Sequence, residues 1–217
     1  MKDFQSLRRM MVDTQVRPSD VTKYPVIEAM LAIAREDFVP DALRAAAYAG
    51  APVDLGDGRA MFEPRTLAKI LDAIDLKSDE LVLDLGAGLG YGAAVMARMA
   101  EFVVALEEDE ALAAEAEARL SAAGIDNVAV LSGPLAEGDA RHGPYDVIVI
   151  EGAVQQIPSS IIEQIKDGGR IVAIFAGNNT GTVRIGYRIG ADVDWRSAFD
   201  AGAPVLPGFA ASVEFAL

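Results

Sequence analysis

The stretch Leu81-Val82-Leu83-Asp84-Leu85-Gly86-Ala87-Gly88-Leu89-Gly90-Tyr91 restricts what this chain can fold into more than any other. An apolar run of strand character carries a carboxylate near its end. Glycines follow at every second position, and residues 91–99 read as a helix. Strand, glycine turn and helix make half of a nucleotide-binding α/β unit. Glycines suit such a turn because the backbone bends sharply and a ligand can lie against it with no Cβ between them. The helix that follows presents free N–H groups at its start.

What comes next in the chain extends the unit. Apolar strands are expected at 81–85, 102–106 (ending at Glu107), 128–131, 145–150 and 170–175, with helices at 91–99, 109–123 and 159–165. Strands that are apolar along their length and alternate with helices predict a parallel sheet covered on both faces. Residues 182–188 and 212–217 alternate polar with apolar, as half-exposed antiparallel strands do, after a tight turn at 177–181. Upstream, residues 1–24 are compatible with a short helix. Asp20 or Thr22 is placed to cap a helix over 26–34, with Pro25 in its first turn. A second short helical stretch (41–48), a loop-rich segment (49–65) with short strands at 52–55 and 59–62, and a helix at 66–74 complete this part. The expected fold is a Rossmann-like, doubly wound, mostly parallel α/β sheet with an antiparallel C-terminal pair and an N-terminal helical extension. Residues 1–77 are expected to form that extension, packed on a core of residues 78–217.

Composition narrows the chemistry. The 217 residues include no cysteine and one histidine, His142, in the turn-like Ala140-Arg141-His142-Gly143-Pro144. Disulfides, thiolate nucleophiles, a zinc site and Ser-His-Asp catalysis are therefore poor readings, and no metal is expected. The formal charge of −14 opposes duplex nucleic-acid binding, which needs a basic face. The first residues lack a signal-peptide apolar region, and no apolar run approaches a membrane span. A soluble cytoplasmic protein with no nucleic-acid or membrane partner is expected; oligomeric state is not legible in the sequence.

Two ligands compete for the glycine turn. Gly88-Leu89-Gly90-Tyr91-Gly92-Ala93 satisfies the dinucleotide pattern G-x-G-x-x-A, but it starts late, because Gly86 already ends the strand. Asp84 also disfavours a pyrophosphate. The same carboxylate suits S-adenosylmethionine, whose ammonium group it can anchor. Glu107, at the end of the second strand, fits either ligand by accepting hydrogen bonds from ribose hydroxyls. A dehydrogenase would need a substrate domain for which the chain has little room, so S-adenosylmethionine is the expected cofactor and a dinucleotide the alternative.

The flanking residues resemble the protein-L-isoaspartate O-methyltransferase family. Met11-Val12-Asp13-Thr14-Gln15-Val16 looks like its opening, and Arg35-Glu36-Asp37-Phe38-Val39-Pro40 is similar to its R-E-x-F-V-P signature. Ala47-Tyr48 falls on its Ala-Tyr pair, and residues 83–91 resemble its cofactor motif. Residues 145–149, Ile157-Pro158 and 166–170 match later motifs. The resemblance implies methyl transfer to the side-chain carboxylate of isoaspartyl residues, with a damaged protein or peptide as the partner. It implies cofactor contacts at Asp84, Gly86, Ala87, Gly88, Tyr91, Glu107, Pro134, Leu135 and Glu151, and an acceptor loop around Met61 and Phe62. Tyr91 and Phe62 also read as plain packing residues.

Two departures stand out. Where the family has Thr-Ile-Ser before a proline, its serine contacting the isoaspartyl carboxylate, this chain has Ala60-Met61-Phe62-Glu63-Pro64. Where the family has Gly-Asp-Gly after the third strand, this chain has Gly133-Pro134-Leu135, and Pro134 offers neither a carboxylate nor an N–H. A methyltransferase with another acceptor, or a binding protein that has lost catalysis, are the alternative expectations.

Overall fold

The computed structural model describes residues 3–177 and 180–211. Seven strands form one sheet in the order β5-β4-β3-β6-β7-β8-β9. They are β3 (Leu81–Leu85), β4 (Phe102–Glu107), β5 (Val128–Ser132), β6 (Tyr145–Val154), β7 (Ile165–Phe175), β8 (Gly181–Ile189) and β9 (Asp192–Ala201). Strands β3 to β7 pair in parallel, and β8 and β9 pair antiparallel. A separate two-stranded hairpin joins β1 (Val53–Gly56) to β2 (Arg59–Met61). The helices are α1 (Phe4–Met11), α2 (Tyr24–Ala32), α3 (Pro64–Ile74), α4 (Tyr91–Ala97), α5 (Glu110–Ala122) and α6 (Ser159–Ile162).

The period-2 geometry of a strand sorts its apolar residues onto two faces. Val82, Val103, Val147, Val149 and Val172 enter one core, together with Met11, Val16, Met30, Leu67, Leu71 and the whole of α4. Leu83, Leu85, Val104, Ile148, Ile150 and Ile171 enter a second core, closed by Leu135, Ile161, Leu206 and Phe209. Both faces are thus covered, as the continuous apolar strands require. Residues before 78 contribute to the first core rather than building one of their own.

Local chemistry explains several boundaries. The Asp109 carboxylate accepts from the N–H groups of Ala111 (2.8 Å) and Leu112 (3.0 Å), starting α5. Pro64 begins α3, where a missing N–H has no consequence. Apolar residues then recur along one side of that helix until Asp75, in a left-handed conformation, ends it.

Several expectations are corrected. Neither Asp20 nor Thr22 caps α2; Asp72 on α3 accepts from the N–H groups of Thr22 (3.2 Å) and Lys23 (3.1 Å) instead. Residues 41–46 form a 3-10 turn rather than a regular helix. The partner of β8 is β9, over 192–201; residues 212–217, and Asn178 and Asn179 of the expected tight turn, lie outside the described residues. Helix α6 stops at Ile162, because the backbone from Ile165 onward already pairs with β6. His142 stands half-exposed in its turn, against Asp139 (2.6 Å). Among the described residues, no helix is long and apolar enough to cross a membrane.

Candidate functional site

Chain order reverses direction in space at β3: β4 and β5 lie on one side of it, β6 and β7 on the other. A crevice outside the carboxyl ends of the strands at such a switch point is where open α/β sheets bind ligands. The glycine turn and three carboxylates meet there: Asp84 from β3, Glu107 from β4 and Glu151 from β6. All three are buried.

Asp84 is fully buried, and neither of its carboxylate oxygens has a hydrogen-bond partner. Burial pushes its pKa well above the usual carboxylate range, and the negative charges of Glu151 and Glu107 push it further. Burial likewise raises Glu151, to about 7. Both carboxyls therefore hold a proton more tightly than free carboxylates do. One oxygen of Glu151 is unpartnered too.

Glu107 differs in that both its oxygens have partners. One oxygen accepts from the Gly88 N–H (2.7 Å), and the other accepts from the N–H groups of Glu108 (2.9 Å) and Asp109 (3.2 Å). That second oxygen also receives Nη1 of Arg59, at 2.5 Å. Arg59 donates a second bond, from Nη2 to the Gly86 carbonyl, at 2.9 Å. This arginine begins β2 and is 6% exposed. Beside it Leu55 of β1 lies over Gly88, where an added Cβ would come within 2.7 Å of its Cδ1; φ of +56° also favours glycine at that position.

The other expected residues fall around this centre. Ala87 is buried in the turn. Tyr91 is buried beneath the Arg35 guanidinium, which lies 4.8 Å from the ring centroid, and its hydroxyl has no partner. Arg35 itself donates to the carbonyls of Ala47 (2.8 Å) and Phe62 (2.7 Å). Pro134 and Leu135 stand farther out, past the end of β5, where the Leu135 N–H approaches Glu108 at 3.5 Å. Met61 packs in the first apolar core. Phe62 is 3% exposed and, with Glu63, Thr66 and Pro204, lines a cavity of about 290 Å³ beside the hairpin. Glu63 accepts from the Thr66 hydroxyl there (3.0 Å).

Sequence reasoning missed Arg59, Leu55 and Arg35. Arg35 carried a signal, since it begins the R-E-x-F-V-P signature. Arg59 and Leu55 carried none: a hairpin residue reaches the crevice through folding over a glycine turn some thirty residues away.

An orphaned, buried carboxylate answers an ammonium group, and a glycine turn beside it leaves room for an extended ligand. The residues thus fit the methionyl end of S-adenosylmethionine, while Glu107 is held by Arg59. Fold and site together define a nucleotide-crevice α/β protein of the methyltransferase type. The model of the protein-L-isoaspartate(D-aspartate) O-methyltransferase family matches residues 8–185. A protein-L-isoaspartate O-methyltransferase of Syntrophus aciditrophicus is 38% identical over 179 residues, covering 82% of each chain. One of Pelobacter propionicus is 32% identical over 200 residues, covering 92% of this chain and 89% of its own. Among solved structures, a putative protein-L-isoaspartate O-methyltransferase from Plasmodium falciparum, in complex with S-adenosyl-L-homocysteine, shares the fold. Its TM-score is 0.78 at 17% identity, over 95% of this chain and 99% of its own. The chain belongs to the protein-L-isoaspartate O-methyltransferase family.

Proposed function

We propose that this protein transfers a methyl group from S-adenosylmethionine to the side-chain carboxylate of isoaspartyl residues in damaged proteins or peptides. The observation that carries this reading is Asp84, a buried carboxylate with two unpartnered oxygens at the carboxyl end of the strand that starts the crevice. When bound, the cofactor supplies an electrophilic methyl on a positive sulfur. Asp84 and the turn at Gly86, Ala87 and Gly88 hold its methionyl end, and Glu107 accepts from the ribose. Pro134 and Leu135 flank the adenine side, Tyr91 supports the turn from below, and Glu151 lines the side of methyl transfer.

The acceptor asks for no general base, since a carboxylate is ionised at neutral pH. A chain without cysteine, whose one histidine sits in an outer turn, therefore has what the reaction needs. Its task is to position the acceptor and exclude water. The segment from Ala60 to Glu63, with Met61 packed below and Phe62 in the cavity wall, shelters the acceptor.

The test is label transfer. Full-length protein with methyl-labelled S-adenosylmethionine should label an isoaspartyl peptide as a base-labile ester and leave its aspartyl counterpart unlabelled. No label on the isoaspartyl peptide sinks the reading. Glu63 favours a second one, in which the acceptor is another group, because Glu63 lines the cavity an anionic acceptor would enter. Labelling of an acceptor that contains no isoaspartate would select it.

A further inference from the structure

The β1–β2 hairpin holds the residue that the cofactor's ribose would use. Glu107 has four hydrogen-bond donors on its two oxygens, and the one not supplied by its own strand end or the glycine turn is Arg59. The same guanidinium takes the Gly86 carbonyl. Its Nη2 lies 3.0 Å from where a Gly86 Cβ would stand, so it fills the space that the glycine leaves. Leu55, from the other strand of the hairpin, fills the corresponding space at Gly88. One element thus covers both glycines and neutralises the carboxylate between them.

We infer that Arg59 is a latch on the cofactor crevice: S-adenosylmethionine is admitted when the Arg59–Glu107 pair parts and the tip of the hairpin lifts off the glycine turn. The inference rests on reading this crevice as the cofactor site. Its physical basis is competition for one set of atoms. Ribose hydroxyls and the guanidinium both donate to Glu107, and they cannot occupy the same oxygen from the same side.

The tip of the hairpin, from Leu55 to Arg59, can lift while Val53 and Met61 stay anchored in the first core. The hairpin forms its own two-stranded sheet, with no pairing to the seven-stranded one. Gly56 and Gly58 at its tip have φ of +87° and +73°, and a Cβ there would meet nothing within 4 Å. Glu107 is not left bare when the latch opens, because its three backbone N–H donors belong to the glycine turn and to Glu108 and Asp109, which follow it in the chain. Affinity measured for a ligand that needs the open state is reduced by the fraction of molecules that are open. Weakening the closed state therefore tightens binding.

The test uses the full chain and S-adenosylhomocysteine by isothermal titration. Arg59→Gln should bind at least tenfold tighter than the wild type, and Leu55→Ala should also bind tighter. Arg59→Lys, which keeps a cation at the latch, should stay near the wild-type affinity. Amide hydrogen exchange supplies a readout on the unaltered protein: saturating S-adenosylhomocysteine should speed exchange over residues 55–59. If Arg59→Gln fails to fold, Leu55→Ala and the exchange experiment decide. Arg59→Gln binding no tighter than wild type, or a hairpin that the ligand protects, overturns the latch and leaves the cofactor reading standing. No binding by wild type or any variant overturns the cofactor reading, and the latch with it.

Discussion

Nη2 of Arg35 donates a 2.7 Å hydrogen bond to the carbonyl of Phe62, and both residues are buried. The bond ties the R-E-D-F-V-P segment to the loop that carries Met61 and Phe62. The same guanidinium reaches the Ala47 carbonyl and covers the ring of Tyr91, so one side chain joins three segments around the crevice. Arg35→Met should therefore lower stability by about 3 kcal/mol, since two buried carbonyls lose their donor. Urea unfolding measures it, and a loss below about 1 kcal/mol would mean that water or another donor replaces the guanidinium.

The carboxyl pair of Asp84 and Glu151 makes stability depend on pH. Burial raises both groups, Glu151 from 4.5 to about 7. Between those values the folded protein holds a proton that the unfolded chain has released. Their contribution is fully present below pH 4.5 and is lost as pH rises through about 7. The urea midpoint should be higher at pH 5.5 than at pH 8, and Glu151→Gln should flatten that difference. Asp75 and Asp146, whose pKa values their lysine partners lower, act below 3.8 with the opposite sign and leave this window untouched.

Asp84→Asn separates binding from stability. It removes one of three crowded carboxylates, so the variant should be more stable than wild type at pH 8. The same change removes the group that would hold an ammonium, and S-adenosylhomocysteine affinity should fall at least tenfold by titration. A functional residue that lowers stability is the expected trade. Unchanged affinity would remove Asp84 from the site.

Gly92 admits no side chain. A Cβ there would lie 1.5 Å from one oxygen of Glu151 and 2.5 Å from its Cδ. Glu151 is 4% exposed and has little room to retreat. Gly92→Ala should cost about 3 kcal/mol in urea unfolding and disturb the crevice wall. A near-neutral effect would show that Glu151 has a second position.

The cavity lined by Phe62 and Glu63 yields a kinetic prediction. Glu63→Gln removes a like charge from the wall that an isoaspartyl carboxylate would face. KM for an isoaspartyl peptide should fall about threefold to tenfold with kcat unchanged, about 1 kcal/mol of relieved repulsion. Restoring the family's serine with Phe62→Ser should instead cost about 3 kcal/mol of stability, because Phe62 is buried and its removal leaves a cavity. A peptide KM that does not respond to Glu63→Gln would place the acceptor elsewhere.

Much of this fold was legible in residue order. The run 81–85, the glycines after it and the strands at 102, 128 and 145 fell where expected, because continuous apolar strands and punctuating glycines are local signals. Starts were clear where a cap sits in the sequence, as with Asp109. The start of α2 carries no such signal: no side chain caps it, and Asp72 of α3 instead holds the N–H groups of Thr22 and Lys23 just before it. The antiparallel partner of β8 was sought at 212–217, because that alternation is cleaner than the one in β9, where Trp195, Arg196, Ser197 and Ala198 blur the pattern.

The sequence by itself determined the strand-turn-helix-strand unit from Leu81 to Glu107, whose signals are local, and the family, through motifs such as Arg35–Pro40 and residues 83–91. Only the tertiary structure decided who keeps company with those residues. Glu151 adds to the upward push on the Asp84 pKa because β6 lies beside β3 in the sheet. Arg59 reaches Glu107, and Leu55 reaches Gly88, because the hairpin folds across the strand ends. Contacts between distant segments leave no period or spacing in a sequence; they exist once burial of the two cores has fixed where each segment lies.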